Sequence, residues 1–318
     1  MVITGVQRDL IPVNAVIGFL KRDRRWPSPL YRLGYKLEMI EQPVSVASVG
    51  TAEVDVISLR RQRNHAVLWE CKAGHSIEEK QARVYASATA QDVQRTGNVT
   101  FPNPSKATVE SAYCCLEQEV ARVVEALRRC APSLPVVALG QRASLVANRF
   151  QDDDLTVLFT EGVSLPPLEE VPLFLVANTQ TPRAAIARDV LTTLVSFLHR
   201  QRHKITITQV MAETFTDWVC MGTDLRRYLT SVAKDIVSDA CKSELQEFAR
   251  VSHPRNVGGE MVVEFTVDVL GQDATARTRM YQKLTRKAEL FVERTAENRP
   301  YEPAREPESL WLPGLEPE

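Results

Sequence analysis

The spacing of hydrophobic and polar positions predicts a strand hairpin followed by a helix near the middle of the first half. Residues 51–57 (TAEVDVI) alternate in the manner of a strand, and residues 66–72 (AVLWECK) continue as a second, more apolar one. The polar segment 60–65 (RRQRNH) lies between them and predicts a turn that would pair the two strands antiparallel. Gly74 then permits a tight turn into residues 76–88 (SIEEKQARVYASA), which have the pattern of an amphipathic helix.

Further elements are expected on both sides of this hairpin. Upstream, residues 13–21 predict a short helix, and residues 35–49 predict a strand region in which Pro43 is a break. Downstream, apolar residues at helical spacing predict a long helix at about 106–130, which would contain Cys114 and Cys115. The apolar runs PVVALG (135–140) and LTVLFT (155–160) are expected to be buried strands of the same sheet.

The predicted strands place acidic and basic side chains on a common face. Because successive side chains of a strand alternate, Glu70 and Lys72 share one side of their strand, and Glu53 and Asp55 share one side of theirs. Asp55, Glu70 and the backbone carbonyl of Cys71 would form an oxygen-rich set suited to Mg²⁺ or Mn²⁺. Such a metal would activate a water against a phosphodiester, and Lys72 would orient or deprotonate that water or stabilise the charge that develops.

The same residues resemble a known nuclease motif. Asp55, followed after fourteen residues by Glu70-Cys71-Lys72, resembles the PD-(D/E)xK pattern of the restriction-endonuclease-like nucleases. Gln81 and Tyr85, at positions i and i+4 of the predicted helix, resemble the Gln-x-x-x-Tyr of the RecB-type members. The resemblance covers roughly residues 30–90. It implies that Asp55 and Glu70 bind metal, that Lys72 is catalytic and that Gln81 and Tyr85 line the site.

Two features depart from that pattern. Val54 stands where many members have a proline, and the upstream helix acid of many members has no clear equivalent here, with Glu38 and Glu41 as the nearest candidates. A Glu-x-Lys also occurs by chance on charged strand faces. The apolar run before Glu70 argues against chance, because it places the acid at the end of a buried strand, where an unpaired charge is costly.

Composition indicates an ordinary water-soluble protein. The chain has 318 residues, 44% of them hydrophobic and 25% charged, which suggests two globular domains. No uninterrupted apolar run reaches ~18 residues and no basic-then-apolar leader begins the chain, so we expect a cytoplasmic protein with no membrane contact. The six cysteines lack Cys-x-x-Cys spacing and are expected to be reduced thiols.

The net charge of −1 conceals an uneven distribution. Residues 289–318 hold eight Glu and three Arg, which leaves 36 basic and 32 acidic residues in 1–288. Two basic clusters are candidate nucleic-acid contacts, with a solvated surface as the alternative in each case. The first comprises Arg60, Arg61 and Arg63 in the predicted hairpin turn, and the second comprises Arg226 and Arg227.

The second half of the chain predicts a different kind of domain. Helical segments at 182–203, 208–215 and from residue 223 onward, then the alternating strand 260–270 after Gly258-Gly259, suggest a mainly helical, winged-helix-like domain. Arg226 and Arg227 would then lie near the start of a recognition helix, although the same helix order also occurs in domains that only pack or dimerise. A largely disordered, acidic Pro/Glu-rich tail completes the chain and contains the apolar run 310–315 (LWLPGL). Trp311 in this run would either dock onto a partner protein or fold back onto the body.

These patterns together predict a three-part protein with nuclease activity. We expect a restriction-endonuclease-like α/β/α sandwich with a mixed central sheet at 1–178, the winged-helix-like domain at 179–288 and the tail at 289–318. The expected reaction is metal-dependent hydrolysis of nucleic acid, DNA before RNA, without a covalent intermediate. Two alternatives stay open: a non-catalytic nucleic-acid-binding or scaffolding protein, and a nuclease that acts only with a partner, as in defence or transposition systems. A homodimer is also compatible with the sequence.

Overall fold

The computed structural model describes residues 8–131, 133–200, 202–254, 259–266 and 273–298. The chain forms two compact units, Met1–Gln180 with Phe215–Leu229, and Thr181–Thr214 with Thr230–Glu318. The sequence places the first domain boundary at residue 178. The segment Phe215–Leu229 differs from expectation, because it returns to the first unit although the sequence places it in the second domain.

A mixed sheet of seven strands forms the centre of the first unit within the described residues. In both spatial and chain order the strands are β1 (Lys36–Val46), β2 (Gly50–Arg60), β3 (His65–Lys72), β4 (Thr108–Leu116), β5 (Val136–Leu139), β6 (Arg142–Ala147) and β7 (Val163–Ser164). Strands β3, β4 and β5 run parallel to each other, and the other neighbours pair antiparallel. The first unit is thus α/β with a mixed central sheet, as predicted.

The predicted hairpin is present as β2 and β3. Its last strand pair joins Arg60 to His65, and Asn64 adopts a φ of 55° in the turn, a conformation that asparagine tolerates better than most residues. Pro43, expected to break the preceding strand, instead lies inside β1, where it pairs with Glu53. Proline is tolerated there because β1 is the edge strand of the sheet.

Helices cover both faces of this sheet. They are α1 (Ile11–Leu20), α2 (Pro29–Arg32), α3 (Glu79–Ser87), α4 (Ala90–Gln94), α5 (Val120–Cys130) and α6 (Asp153–Glu161). On one face, Phe159 of α6 contacts both Phe19 of α1 and Trp69 of β3. On the other face, Tyr85 of α3 packs edge-on against Tyr113 of β4. Trp69 and Glu70 are consecutive in a strand, so Glu70 lies on the α3 face.

Two predicted elements of the first unit are wrong. The helix expected at 106–130 is a strand, β4, followed by a 3₁₀ turn at Glu117–Glu119 and then the shorter helix α5. Because β4 is buried on both faces, its continuous apolar run satisfies a helical spacing by accident, and Cys114 and Cys115 lie in a strand. The strand expected at 155–160 is helix α6, whose N-cap Asp152 accepts a hydrogen bond from the N–H of Asp154.

The second unit combines helices with a small antiparallel sheet. Its elements are α7 (Arg183–His199), β8 (Lys204–Thr206), α8 (Ile207–Thr214), α9 (Thr223–Lys242), β9 (Ala249–Ser252), β10 (Val262–Phe265) and α10 (Ala274–Ala296). Strand β10 pairs with both β8 and β9. Helix α9 begins in the segment that belongs to the first unit.

The carboxyl-terminal region differs in part from the prediction. Helix α10 continues to Ala296, so the first residues of the range predicted as a disordered tail are helical. Residues 299–318, which include the rest of that range, lie outside the described residues, as do residues 267–270 of the predicted strand. None of the helices in the described ranges is both long and apolar enough to cross a membrane.

Candidate active site

Three acidic residues occupy equivalent positions on three neighbouring strands. The β1–β2 register leaves Glu41 opposite Asp55, and the β2–β3 pair Val56–Trp69 leaves the next residues, Asp55 and Glu70, opposite each other. Glu53 lies two residues before Asp55 and therefore faces the same side of β2. We refer to Glu41, Glu53, Asp55 and Glu70 as the carboxyl cluster.

Asp55 is held by the strand that carries Glu70. One of its carboxylate oxygens accepts a hydrogen bond from the backbone N–H of Cys71 at 2.6 Å. Burial, and after it the charge of Glu70, raises the pKa of Asp55 well above its usual value, although the Cys71 N–H opposes the shift. The N–H of Cys71 thus contacts this acid, and the role of its carbonyl as a metal ligand stays a prediction.

Glu70 and Lys72 form a close ion pair at the end of β3. The Lys72 Nζ lies 2.5 Å from Glu70 Oε1, and the Glu70 side chain is 2% exposed. Burial raises the pKa of Glu70 despite the neighbouring ammonium. Burial lowers the pKa of Lys72, but the charge and hydrogen bond of Glu70 more than offset this, so the pKa is raised overall. Lys72 is therefore a charged ammonium when Glu70 is ionised.

Gln81 and Tyr85 approach the cluster from one face of α3, as the helical spacing predicted. The Tyr85 hydroxyl lies within hydrogen-bond distance of the Glu70 carboxyl and 2.5 Å from the backbone carbonyl of Glu53. Gln81 Nε2 donates to the same carbonyl at 3.3 Å and to the Tyr85 hydroxyl at 3.0 Å. The hydroxyl has one proton and two acceptors within reach, so it donates to either the Glu70 carboxyl or the Glu53 carbonyl, and its hydrogen bond to Glu70 favours the ionised carboxylate.

Glu41 is the member of the cluster that sequence spacing identified poorly. It has a φ of 48°, a left-handed conformation that costs a glutamate free energy, and its side chain is buried to 7% exposure. Its Oε2 is buried with no hydrogen-bond partner among the described residues. Burial, and after it Glu53, raises the pKa of Glu41 to about 8. No local sequence pattern identifies this role of Glu41, because only the β1–β2 register shows that Glu41 faces Asp55.

The backbone at Glu41 is fixed by close packing of the segment before α9. The N–H of Gly222 donates to the carbonyl of Ile40 at 2.7 Å, and Met221 forms a parallel bridge with the same residue. A Cβ at position 222 would collide with the Glu41 carbonyl. Only a glycine permits this approach, so the returning segment Phe215–Leu229 contributes directly to the shape of the site.

Negative charges outnumber positive ones among the groups that act on the carboxyl cluster. Lys72 is the positive charge that lowers the pKa of Asp55 and Glu70, and Asp224 further raises the pKa of Glu53 after burial has raised it. Within the described residues no group of three or more His, Cys, Asp or Glu side chains is placed to hold a metal ion. The reason is local: Asp55 is turned to the Cys71 N–H and Glu70 to Lys72.

The first predicted basic cluster, in the β2–β3 turn, is divided between internal and surface roles. Arg60 pairs with Asp152 at 3.1 Å and with Asp154 at 2.6 Å, and its side chain is largely buried. This arginine therefore fastens the hairpin turn to the start of α6 and is not available to a phosphate. Arg61 is half-exposed and pairs with a glutamate of β1, and Arg63 is exposed, 4.0 Å from Asp154.

The second predicted basic cluster lies in the first unit. Arg226 and Arg227 follow directly after Gly222 in the first turns of α9, within Phe215–Leu229. Arg227 is exposed and pairs with Asp224 at 3.0 Å, while Arg226 is half-buried. They thus lie a few residues after Gly222, which contacts Glu41, in the first unit and not in the second as expected.

Comparison with known proteins gives a match to a family model over part of the chain. Residues 9–121 match the model of the MJECL32 domain. The matched segment contains β1 to β4 and α3, and with them the carboxyl cluster, Lys72, Gln81 and Tyr85. No curated protein and no solved structure matches the chain significantly.

Proposed function

We propose that this protein is a Mg²⁺- or Mn²⁺-dependent nuclease that hydrolyses phosphodiester bonds of nucleic acid, with DNA as the first substrate to consider. The observation that carries the proposal is the alignment of Glu41, Asp55 and Glu70 on three adjacent strands, with Lys72 against Glu70. Acidic groups are costly to bury together, so their concentration around one lysine favours a cationic ligand.

The donor set fits a hard divalent cation. Carboxyl oxygens are the ligands that Mg²⁺ and Mn²⁺ prefer, and the unpartnered Glu41 Oε2 is a buried acceptor that such an ion would satisfy. Asp55, Glu70 and Glu41 would hold the ion after exchanging their present hydrogen bonds. When bound, the cation supplies Lewis acidity to the scissile phosphate and lowers the pKa of a water.

The remaining residues have roles that follow from their contacts. Lys72 keeps its proton beside Glu70, so it acts as a cationic donor to the charge that develops on the phosphate, and not as a general base. Tyr85 holds the Glu70 carboxyl, and Gln81 holds Tyr85 and the Glu53 carbonyl. These two are positioning residues, because they contact the acids and the backbone that carries them.

The two finer fold assignments belong to this proposal. A mixed sheet with helices on both faces, and the order hairpin, helix α3, parallel strand β4, support a restriction-endonuclease-like sandwich. In the second unit, the order helix, strand, helix, helix, strand, strand, with β10 between β8 and β9, supports a winged-helix module. A winged helix favours DNA as the substrate, although the position of Arg226 and Arg227 argues against their reading bases from that module.

One observation favours a second function. Asp55 and Glu70 are already satisfied by the Cys71 N–H and by Lys72, and the described residues form no ready metal site. A protein that binds nucleic acid or serves as a scaffold without cleaving it would have such a self-paired cluster. Binding without cleavage in Mg²⁺ and in Mn²⁺ would favour this function over the nuclease.

The decisive experiment incubates the full-length protein with plasmid, linear duplex, single-stranded DNA and RNA in each metal. Lys72→Gln and Glu70→Gln should each reduce cleavage by ~10²-fold or more, since each removes a group assigned to transition-state or metal stabilisation.

A second ion pair supplies matched controls. Lys21 pairs with Asp217 at 2.5 Å and its side chain is 24% exposed, against 2.5 Å and 25% for Lys72 with Glu70. Lys21→Gln and Asp217→Asn therefore impose a similar structural loss without touching the cluster, and should retain cleavage. Equal activity of the wild type and the two cluster variants would refute the nuclease assignment.

A further inference from the structure

The second unit has an apolar groove along two of its helices. Helices α7 and α10 pack side by side, and a cavity of about 610 Å³ lies along their contact. Its apolar lining comprises Leu191 and Val195 of α7 with Ala288 and Val292 of α10. We call this cavity the α7–α10 groove.

The size and lining of the groove suit an apolar side chain. Pockets for organic ligands have volumes of about 300–1,000 Å³ and are mostly apolar, and this one falls within that range. Leu191 and Ala288 are buried, whereas Val195 and Val292 are half-buried and retain surface that water contacts. Covering these side chains would remove apolar surface from water, which is favourable in proportion to its area.

We propose that the α7–α10 groove binds the carboxyl-terminal segment of the same chain, with the indole of Trp311 as the anchor and Leu310 and Leu312 beside it. The sequence of residues 299–318 contains one apolar run, LWLPGL at 310–315, among prolines and glutamates. An indole offers a large, rigid apolar surface, roughly 150–250 Å² when buried, and is the type of side chain that most often anchors a peptide in a pocket.

The length of the chain permits this contact. Helix α10 ends at Ala296, and Ala288 and Val292 lie only four to eight residues earlier, or about 6–12 Å along the helix axis. Residues 299–309, which separate the helix from the apolar run, can span up to about 36 Å when extended. The segment can therefore turn back to the groove without strain.

The charged residues on the two sides of the groove bias the orientation of this occupant. The α7 side has the cationic Arg188 and the imidazole of His199, and the α10 side has Glu289 and Glu293. Glutamates precede and follow the apolar run, at 306, 308, 316 and 318. Arg188, which also pairs with Asp189, would attract these glutamates, and Glu289 and Glu293 would repel them, so the segment would bind with its glutamates toward the α7 side.

Tethering makes a weak intrinsic affinity sufficient. A short flexible connection gives an effective concentration on the order of 1 mM, so a segment with an intrinsic Kd of about 0.1 mM is bound in about nine molecules of ten. To reach the same occupancy, the segment of a second copy of the chain would need a protein concentration on the order of 1 mM. The tethered segment therefore outcompetes a second copy at micromolar concentrations.

The experiment follows the indole of Trp311 in the full-length protein. Subtracting the tryptophan emission of Trp311→Phe from that of the wild type isolates Trp311, and acrylamide quenching then reports its access to solvent. We expect a blue-shifted emission and weak quenching in the wild type. In Val195→Lys, which places a charge in the groove, the quenching constant of Trp311 should rise at least about threefold, because most molecules would release the segment.

Leu290→Lys is the matched control, since Leu290 is an exposed apolar residue of α10 outside the groove lining. It should leave Trp311 shielded, and far-ultraviolet circular dichroism should show both lysine variants to be folded. Free quenching of Trp311 in the wild type would overturn the proposal, as would shielding that Val195→Lys does not change. Shielding that disappears on dilution would overturn it as well, because the occupant would then be a second copy.

Discussion

The backbone N–H of Cys71 donates a hydrogen bond to the carboxylate of Asp55 at 2.6 Å, across the β2–β3 hairpin. This contact fixes the acid on the strand that also carries Glu70, so the hairpin register determines where the two carboxyl groups lie. It also means that a cation must compete with a backbone donor for Asp55. Binding of the metal is therefore expected to be measurable in the stability of the protein.

Adding Mg²⁺ or Mn²⁺ should raise the melting temperature. At a concentration of about 100 Kd, a ligand specific to the folded state adds about 2.7 kcal/mol to the free energy of unfolding. For a unit of this size, that corresponds to a rise on the order of 5–10 °C. Asp55→Asn should abolish the rise and should itself raise the melting temperature without metal, since it removes one of the mutually repelling acids. Asp217→Asn should keep the rise, and a metal effect that survives Asp55→Asn would contradict the assigned ligand.

Glu41→Gln should make the protein less sensitive to alkaline pH in the absence of metal. The pKa of Glu41 is raised from about 4.5 to about 8, so the folded state holds this proton more tightly than the unfolded chain. Its contribution to stability is fully present below pH 4.5 and is lost as the pH rises toward 8. The free energy of unfolding of the variant relative to the wild type should therefore increase across that interval, by on the order of a few kcal/mol, and a matching rise in relative melting temperature is the measurement.

Glu244 provides a control with the opposite sign. It is as buried as Glu41, at 7% exposure, but pairs with Arg294 at 2.7 Å. Burial raises the pKa of Glu244, yet the hydrogen bonds of Arg294 and Ser243 outweigh it and lower the pKa overall. Glu244→Gln should therefore lose stability at neutral pH and approach the wild type as the pH falls below about 4.5. If the stability of both variants relative to the wild type changed with pH in the same direction, the opposite pKa shifts of Glu41 and Glu244 would be refuted.

Tyr85→Phe and Tyr113→Phe should differ although the two rings touch. The hydroxyl of Tyr85 contacts Glu70 and the Glu53 carbonyl, whereas that of Tyr113 is buried with no partner in the described part of the chain. Tyr85→Phe should cost about 1–3 kcal/mol in urea unfolding and reduce cleavage, because it leaves Glu70 under-satisfied. Tyr113→Phe should be neutral or stabilising, and an equal loss from both changes would show that only ring packing matters.

Gly222→Ala should damage the site from a distance along the chain. The new Cβ would collide with the Glu41 carbonyl, so the segment before α9 or strand β1 must move, at a cost of about 1–3 kcal/mol. Cleavage should fall with it. Gly74→Ala is the control, since a Cβ there has no neighbour within 4 Å in the described structure, and its melting temperature should be unchanged or higher. If Gly222→Ala left both the melting temperature and cleavage unchanged, the close contact between residue 222 and the Glu41 carbonyl would be excluded.

Secondary structure was predictable where a local signal was unambiguous. The hairpin follows from strand alternation on both sides of a polar turn, and α3 follows from its amphipathic pattern, so Gln81 and Tyr85 could be placed on one face. Residues 108–116 and 155–160 were not predictable in this way. Both are short apolar runs whose spacing fits a strand as well as a helix. Pairing with neighbouring strands makes the first a strand, and the N-cap at Asp152 starts a helix in the second.

The sequence by itself determined which chemical groups this protein has and which of them share a strand or helix: Asp55 with Glu53, Glu70 with Lys72, Gln81 with Tyr85. These relationships depend on the period of the local backbone, which neighbouring residues set. Only the tertiary structure decided that Glu41 faces Asp55 and that Arg60 forms an ion pair with α6. It also decided that the residue before α9 donates a hydrogen bond to β1. Those contacts join residues far apart in the chain, and their geometry depends on sheet register and packing, which no local pattern encodes.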